Sequence, residues 1–300
     1  MLQIYLEGWR QATQSSLANT MARIADAEKY YASLESRIGY RLFLNGTRHY
    51  GYYETKDSFP PPVGQALRRM EEQLFLGLQC PPSAKLLDAG CGIGHVAIYM
   101  AKRGNYRIEA IDVVARHAEK AKRNIAAAGL KDVVVAKHGD YHHLEDYEDN
   151  SLDGIYTMET LVHSTDPVSV LKEFHRILKP GGRLAMNEYD HEDLDKAAKD
   201  LSDAMRKANK YASMPANESF DRDTLPKLVK QAGFEEVELK DFSKHIQPML
   251  WLFYIFAIIP YTIFRLLGIE TYFVNTIAGV EGWRGRDLWR YTQVTAKKRG

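Results

Sequence analysis

Apolar positions fall into two periods along this chain. Short, nearly continuous apolar runs at 85–89, 106–111, 133–138, 152–158 and 183–188 read as strands buried on both faces. Between them, 94–103, 114–128 and 167–178 carry the helical period, and Val63 to Leu78 reads as a helix leading into the first strand. Beyond residue 190 the pattern predicts helices at about 191–212 and 222–232 and strands at 235–242 and 288–297. This regular alternation predicts an α/β fold, a doubly wound, seven-stranded, mostly parallel sheet with helices on both faces. Residues through about Ile38 have a mixed pattern compatible with one or two amphipathic helices, and Met249 to Phe264 is the most apolar stretch of all. The resulting division is an N-terminal helical or lid segment (1–62), a doubly wound core (63–245), an apolar helical lid inserted before the last strand (246–286), and a last strand and tail (287–300).

The first strand ends in KLLDAGCGIG, where Gly90, Gly92 and Gly94 follow Asp88 and open a helix at His95. Glycine lets the backbone turn tightly and lets a ligand approach the amides at a helix N-terminus. His95 stands where a dinucleotide fingerprint would place its third glycine, so the match to a pyrophosphate site is imperfect. Asp88 puts negative charge where a phosphate would lie, which favours a ligand with a cationic end. The second strand ends in Asp112, about 20 residues after the turn, the spacing of an acid that holds ribose hydroxyls.

At this point the chain resembles the class I S-adenosylmethionine-dependent methyltransferases, and within them the sterol 24-C- and tocopherol methyltransferases. The resemblance rests on LLDAGCGIG, the acid of IEAID, the Gly139-Asp140 pair and LKPGG at Leu178 to Gly182. It implies S-adenosyl-L-methionine as cofactor. It also implies that Gly90, Gly92 and Gly94 pass under the methionine and ribose, that Asp112 accepts the ribose hydroxyls, and that Asp140 with Tyr141 reads the adenine. The alternative for either acid is a helix cap. NGTRHYGYYE, dense in aromatics, is similar to the segment those enzymes place over the cofactor, which makes Tyr50, Tyr52 and Tyr53 lid residues; taken singly, each could simply cover the core.

YTMETLVH at the end of the fourth strand is similar to a sterol C-methyltransferase segment in which a Glu and a His stand four residues apart. Glu159 and His163 are therefore the catalytic candidates, a carboxylate and a titratable imidazole over one pocket. The bland roles are amide binding for Glu159 and helix capping for His163. His142 and His143 read as solvent-exposed. Tyr189, Asp190 and His191 follow strand five, where acceptor-binding residues commonly sit, and Asp190 could cap the next helix. MLWLFYIFAIIPYTIF approaches the length of a membrane span, but it lies between two strands that must pair in one sheet, so a single crossing is excluded. It reads as a buried lid over a greasy acceptor or as an interfacial segment, with Trp251 and Tyr254 among its pocket aromatics. With GIETYFVNTIAG it resembles the C-terminal lid of fungal relatives of the sterol enzymes.

A net charge of +1 gives no nucleic-acid footprint. Two cysteines, Cys80 and Cys91, cannot staple a fold of this size, which points to a reducing, cytoplasmic setting, peripheral to an intracellular membrane if the apolar segment touches lipid. The N-terminus lacks the pattern of a secretory signal. The ten histidines show no metal-ligand spacing, so no metal is expected. The leading expectation is a methyltransferase acting on a lipophilic small molecule, a sterol, terpenoid or polyketide-like compound, with C-methylation slightly ahead of O- or N-methylation. A nicotinamide oxidoreductase and a non-catalytic cofactor-binding subunit are the alternatives. Oligomeric state is not legible.

Overall fold

The computed structural model describes residues 44, 46–54, 62–269 and 272–300. The helices expected before Ile38 lie outside the described residues. The strands are β1 (Lys85–Ala89), β2 (Arg107–Asp112), β3 (Val134–His138), β4 (Leu152–Met158), β5 (Leu178–His191), β6 (Phe234–Asp241) and β7 (Trp289–Lys298). They form one sheet in the order β3-β2-β1-β4-β5-β7-β6. β1 to β5 pair in parallel, and β7 is antiparallel to both β5 and β6. The order reverses between β1 and β4, the position at which open sheets of this kind bind ligands beyond their carboxyl ends.

Helices α1 (Val63–Leu78), α2 (His95–Gly104) and α3 (Ala115–Ala127) share one core layer with Leu86, Ile108 and Tyr156 of the sheet. On the other face, α4 (Pro167–Ile177) and α6 (Thr224–Gln231) cover Leu87, Ile155, Leu184 and Val294. Met70, Leu74 and Leu78 recur at the helical spacing and are wholly buried, each contributing roughly 1.5–3 kcal/mol of transfer free energy. α4 starts at Pro167 because Asp166 accepts the amide of Ser169 at 3.0 Å and proline needs no partner for its first-turn nitrogen.

β5 is longer than the apolar run predicts at both ends. It begins at Leu178, which pairs with Leu152 before an irregularity at the Lys179–Gly182 stretch, and it continues through Asp190 and His191. These polar residues stay in the strand because distant partners satisfy them. Arg290 donates to both oxygens of Asp190, at 2.8 and 2.5 Å, and Asp190 lies within the strand, so it does not cap a helix starting at 191. His191 lies 2.7 Å from the carbonyl of Glu192 and 2.5 Å from that of Asn217. The helix expected from 191 accordingly begins only at α5 (Lys199–Tyr211).

The apolar stretch is α7 (Ser243–Leu267), which turns back through α8 (Val274–Arg284) into β7. Gly279 of α8 faces Phe253 and Ala257 of α7 at ordinary contact distance, so the two helices pack closely. Their hairpin leaves and re-enters the sheet at neighbouring strands.

Candidate functional site

Two adjoining sites lie beyond the carboxyl ends of the parallel strands. The first is the glycine turn. Gly90, Gly92 and Gly94 have φ of +98°, +54° and +82°, the left-handed region that glycine occupies without strain. A Cβ on Gly90 would come within 2.6 Å of the Thr160 side chain, whereas one on Gly92 would meet nothing within 4 Å. The turn is therefore pinned from below at Gly90 and open above Gly92. Asp88 is buried beneath it and bonded by the Tyr156 hydroxyl at 3.1 Å. Burial, opposed by that hydrogen bond and reinforced by the charge of Asp112, pushes its pKa up to about 8. A buried carboxyl of this kind fits a ligand that brings a positive charge.

Asp112 accepts the Gly92 amide on Oδ2 at 2.8 Å, and on Oδ1 the Val114 amide at 2.9 Å and the His117 ring at 3.2 Å. It thus fixes both the turn and the start of α3, and Oδ2 retains capacity to accept from a ligand hydroxyl. Asp140 Oδ1 accepts the amide of His142 at 2.9 Å and its Nδ1 at 2.5 Å, and His142 Nε2 lies 3.0 Å from Ser164 Oγ. His142 is half-buried in this chain, not solvent-exposed as its sequence neighbourhood suggests; His143 is exposed. Tyr141 stacks on His142 and donates to the Thr160 carbonyl at 2.8 Å. Cys91 is buried, which raises its thiol pKa well above the ordinary value and leaves it a space-filler.

The second site is a cavity of about 910 Å³. Its floor is the end of β5 (Tyr189, Asp190, His191) with Trp289 of β7. Glu159 and His163 enter from the loop after β4, and His49 and Tyr50 from the preceding lid segment. Phe253, Phe256 and Pro260 of α7, Val274 and Ala278 of α8, and Leu201, Met205 and Ala208 of α5 make most of the enclosure apolar, with Asn209, Asn275, Thr276 and Glu281 as its polar members. The cavity is therefore polar at the sheet and mostly apolar at the roof.

Glu159 anchors the polar end from a left-handed backbone conformation, φ +59°, with its amide bonded to the Asn187 carbonyl at 2.8 Å. Oε1 accepts the Tyr50 amide at 2.7 Å and the Tyr291 hydroxyl at 2.8 Å, and Oε2 accepts the Tyr189 hydroxyl. Burial nonetheless holds its carboxyl above the usual range, against those hydrogen bonds and the His49 charge. His163 sits on a short 3-10 turn, Leu161–His163, with Nδ1 2.7 Å from the Ser213 carbonyl. In a neutral ring Nδ1 then carries the proton and Nε2 the lone pair. Glu188 holds this loop: its buried Oε1 accepts the amides of Thr160 and Leu161 and the hydroxyl of Thr157. Burial raises its pKa to about 8.

The structure brings Glu159, His163, Tyr50 and Tyr189 into one cavity and sets aside other expected lining residues. Tyr53 is buried among Leu44, Ala66, Leu67 and Met249. Tyr52 stacks on His245 with ring centroids 4.0 Å apart. Tyr254 packs against Trp283, and neither it nor Trp251 lines the cavity. Tyr52 and Tyr53 thus pack against the start of α7, and Tyr254 joins α7 to α8. The lid segment itself does cross the glycine turn: Thr47 Oγ1 lies 2.9 Å from His95 Nδ1, and Gly46 approaches Ile93. The sequence reading missed His49 and the α5 wall, although Leu201, Met205 and Asn209 recur every four residues, a stripe that would have revealed the latter.

The family described as a methyltransferase domain matches residues 87–186. Over 273 residues, 90% of this chain and 93% of the relative, the sequence is 40% identical to the S-adenosyl-L-methionine-dependent Diels-Alderase iccD of Talaromyces variabilis. It is also 40% identical, over 70% of this chain and 83% of the relative, to the S-adenosyl-L-methionine-dependent Diels-Alderase iliD of Neonectria sp. (strain DH2). Among solved structures, that of the [4+2]-cyclase SpnF superposes with a TM-score of 0.68 at 21% identity, covering 87% of this chain and 92% of its own.

Proposed function

We propose that this chain, which belongs to the S-adenosylmethionine-dependent methyltransferase family and has S-adenosylmethionine as its cofactor, cyclises a lipophilic, polyketide-like polyene by [4+2] cycloaddition. In that reaction the ends of a diene form two carbon–carbon bonds to an alkene, three π bonds give way to one, and no atom leaves. Neither a base nor a leaving group is required. What is required is a shaped, dry cavity that holds the reacting ends together.

The main support is the state of Glu159. Its oxygens take three donors, from Tyr50, Tyr189 and Tyr291, so it builds the wall of the cavity and is poorly placed to remove a substrate proton. The apolar side chains of the roof fold the chain of the substrate, while Tyr189 and His163 line the polar end that faces it. S-adenosylmethionine, when bound, supplies a cationic sulfonium with a transferable methyl group. The glycine turn, Asp88 and Asp112 would hold it, with Asp140 and Tyr141 at its base. Thr160 packs under Gly90 and follows Glu159 directly, so one dipeptide forms the wall between cofactor and cavity.

Methyl transfer to a lipophilic acceptor is the second reading, favoured by His163, whose Nε2 is the basic nitrogen of a ring lining the cavity. Incubation with methyl-labelled S-adenosylmethionine and a panel of linear activated polyenes separates the two. Cyclisation yields an unlabelled product isomeric with its substrate and leaves the cofactor intact. Label in the product, with release of S-adenosylhomocysteine, would overturn it in favour of methylation.

A further inference from the structure

Phe256, Ile259, Ile263 and Leu266 are 56%, 71%, 49% and 83% exposed, and their spacing of three, four and three residues puts them on one face of α7. Leu267 extends the stripe, which runs along about three helical turns, roughly 16 Å. The opposite face is occupied: Phe253 and Ala257 pack on α8, and Tyr261 bonds Glu281. Arg265 flanks the stripe, its guanidinium 2.9 Å from the Tyr261 hydroxyl.

The stripe is continuous with the mouth of the cavity. Phe256 belongs to both, and Tyr272, 74% exposed, also lines the cavity. We infer that this face of α7 lies on the surface of a lipid bilayer, its apolar side chains in the acyl boundary, and that the cavity mouth opens there to take up a lipophilic substrate from the membrane. A protein seated permanently on the stripe would stop the mouth, whereas lipid allows a greasy molecule to move sideways into it. Attachment is in the plane of the membrane and does not span it, because α7 begins after β6 and its hairpin returns through β7, the neighbour of β6 in the sheet. The inference is independent of which bond the enzyme makes.

The full chain is tested by flotation, without detergent, on extruded vesicles of phosphatidylcholine and of phosphatidylcholine with phosphatidylserine. It is expected to float with both. Ile259→Asp combined with Leu266→Asp, neither lining the cavity, is expected to lower partitioning about tenfold or more. Calorimetric S-adenosylmethionine binding by this variant should be unchanged, which shows that it is folded. Leu267→Asp alone supplies a milder version. Absence of the parent chain from both floated fractions would overturn the inference, as would undiminished flotation of the folded double variant. Light scattering that shows a parent dimer, dissolved by the double substitution, with no flotation would assign the stripe to a second copy of the chain instead.

Discussion

Tyr291 donates its hydroxyl to Glu159 Oε1 at 2.8 Å, so a residue of the last strand grips the carboxyl that ends the cavity. The bond joins two parts of the chain 132 residues apart, on either side of the roof hairpin. Tyr291→Phe should lower stability by about 1.5–3 kcal/mol, the value of a hydrogen bond to a charged acceptor, and raise the Glu159 pKa further by removing a donor to its ionised form. Denaturant melts and a carboxyl-resolved titration would check the two effects.

Glu159→Gln distinguishes shape from proton transfer. For a cycloaddition the variant should keep its single-turnover rate within about tenfold, since the wall survives, and His163→Ala should do likewise; loss of a working base would cost 10²–10⁴-fold, roughly. Product mass must be followed with the rate, so that a change of reaction is seen as well as a change of speed.

The proton on Asp88 gives a signature of cofactor binding that needs no turnover. With a pKa of about 8, Asp88 is largely protonated at pH 7, and a sulfonium or ammonium brought near it should expel that proton. Affinity should therefore rise with pH and level off above about 8. Calorimetry in buffers of different ionisation enthalpy should report proton release for the parent and much less for Asp88→Asn. The linked effect on the free protein has the opposite sign. A carboxyl whose pKa is raised by folding stabilises most fully below its unfolded value, so the contribution of Asp88, like that of Glu188, is lost as pH climbs through about 8.

Two glycines of one turn should fail in different ways. Gly92→Ala meets no neighbour within 4 Å and should cost stability only about 1 kcal/mol, from its positive φ, while cofactor affinity falls because the space is filled. Gly90→Ala drives a methyl into Thr160 and should destabilise by about 2–4 kcal/mol and disturb Glu159 as well. Thermal melts with and without S-adenosylmethionine separate the cases.

The five parallel strands and the glycine turn were legible because each depends on local pattern: continuous apolar runs, an acid at a strand end, glycines where φ is positive. β5 was misjudged at Asp190 and His191 because what keeps them in a strand is Arg290 and the carbonyl of Asn217, partners that no window of sequence contains. The tyrosines of YGYY failed for a related reason. Tyr50 reaches the cavity and Tyr53 the core, although both face apolar surroundings, and only the path of the chain between Ala66 and His245 tells them apart. Glu159 was found as a residue, but its three donors come from three separate segments, and they decide what it can do.

The α7–α8 hairpin is hung between two adjacent strands like a hammock between posts. Lengthening or regreasing it changes what fits below without loosening the knots at Asp241 and Trp289, so new chemistries can be acquired by altering about forty residues while the machinery for the nucleoside is inherited intact.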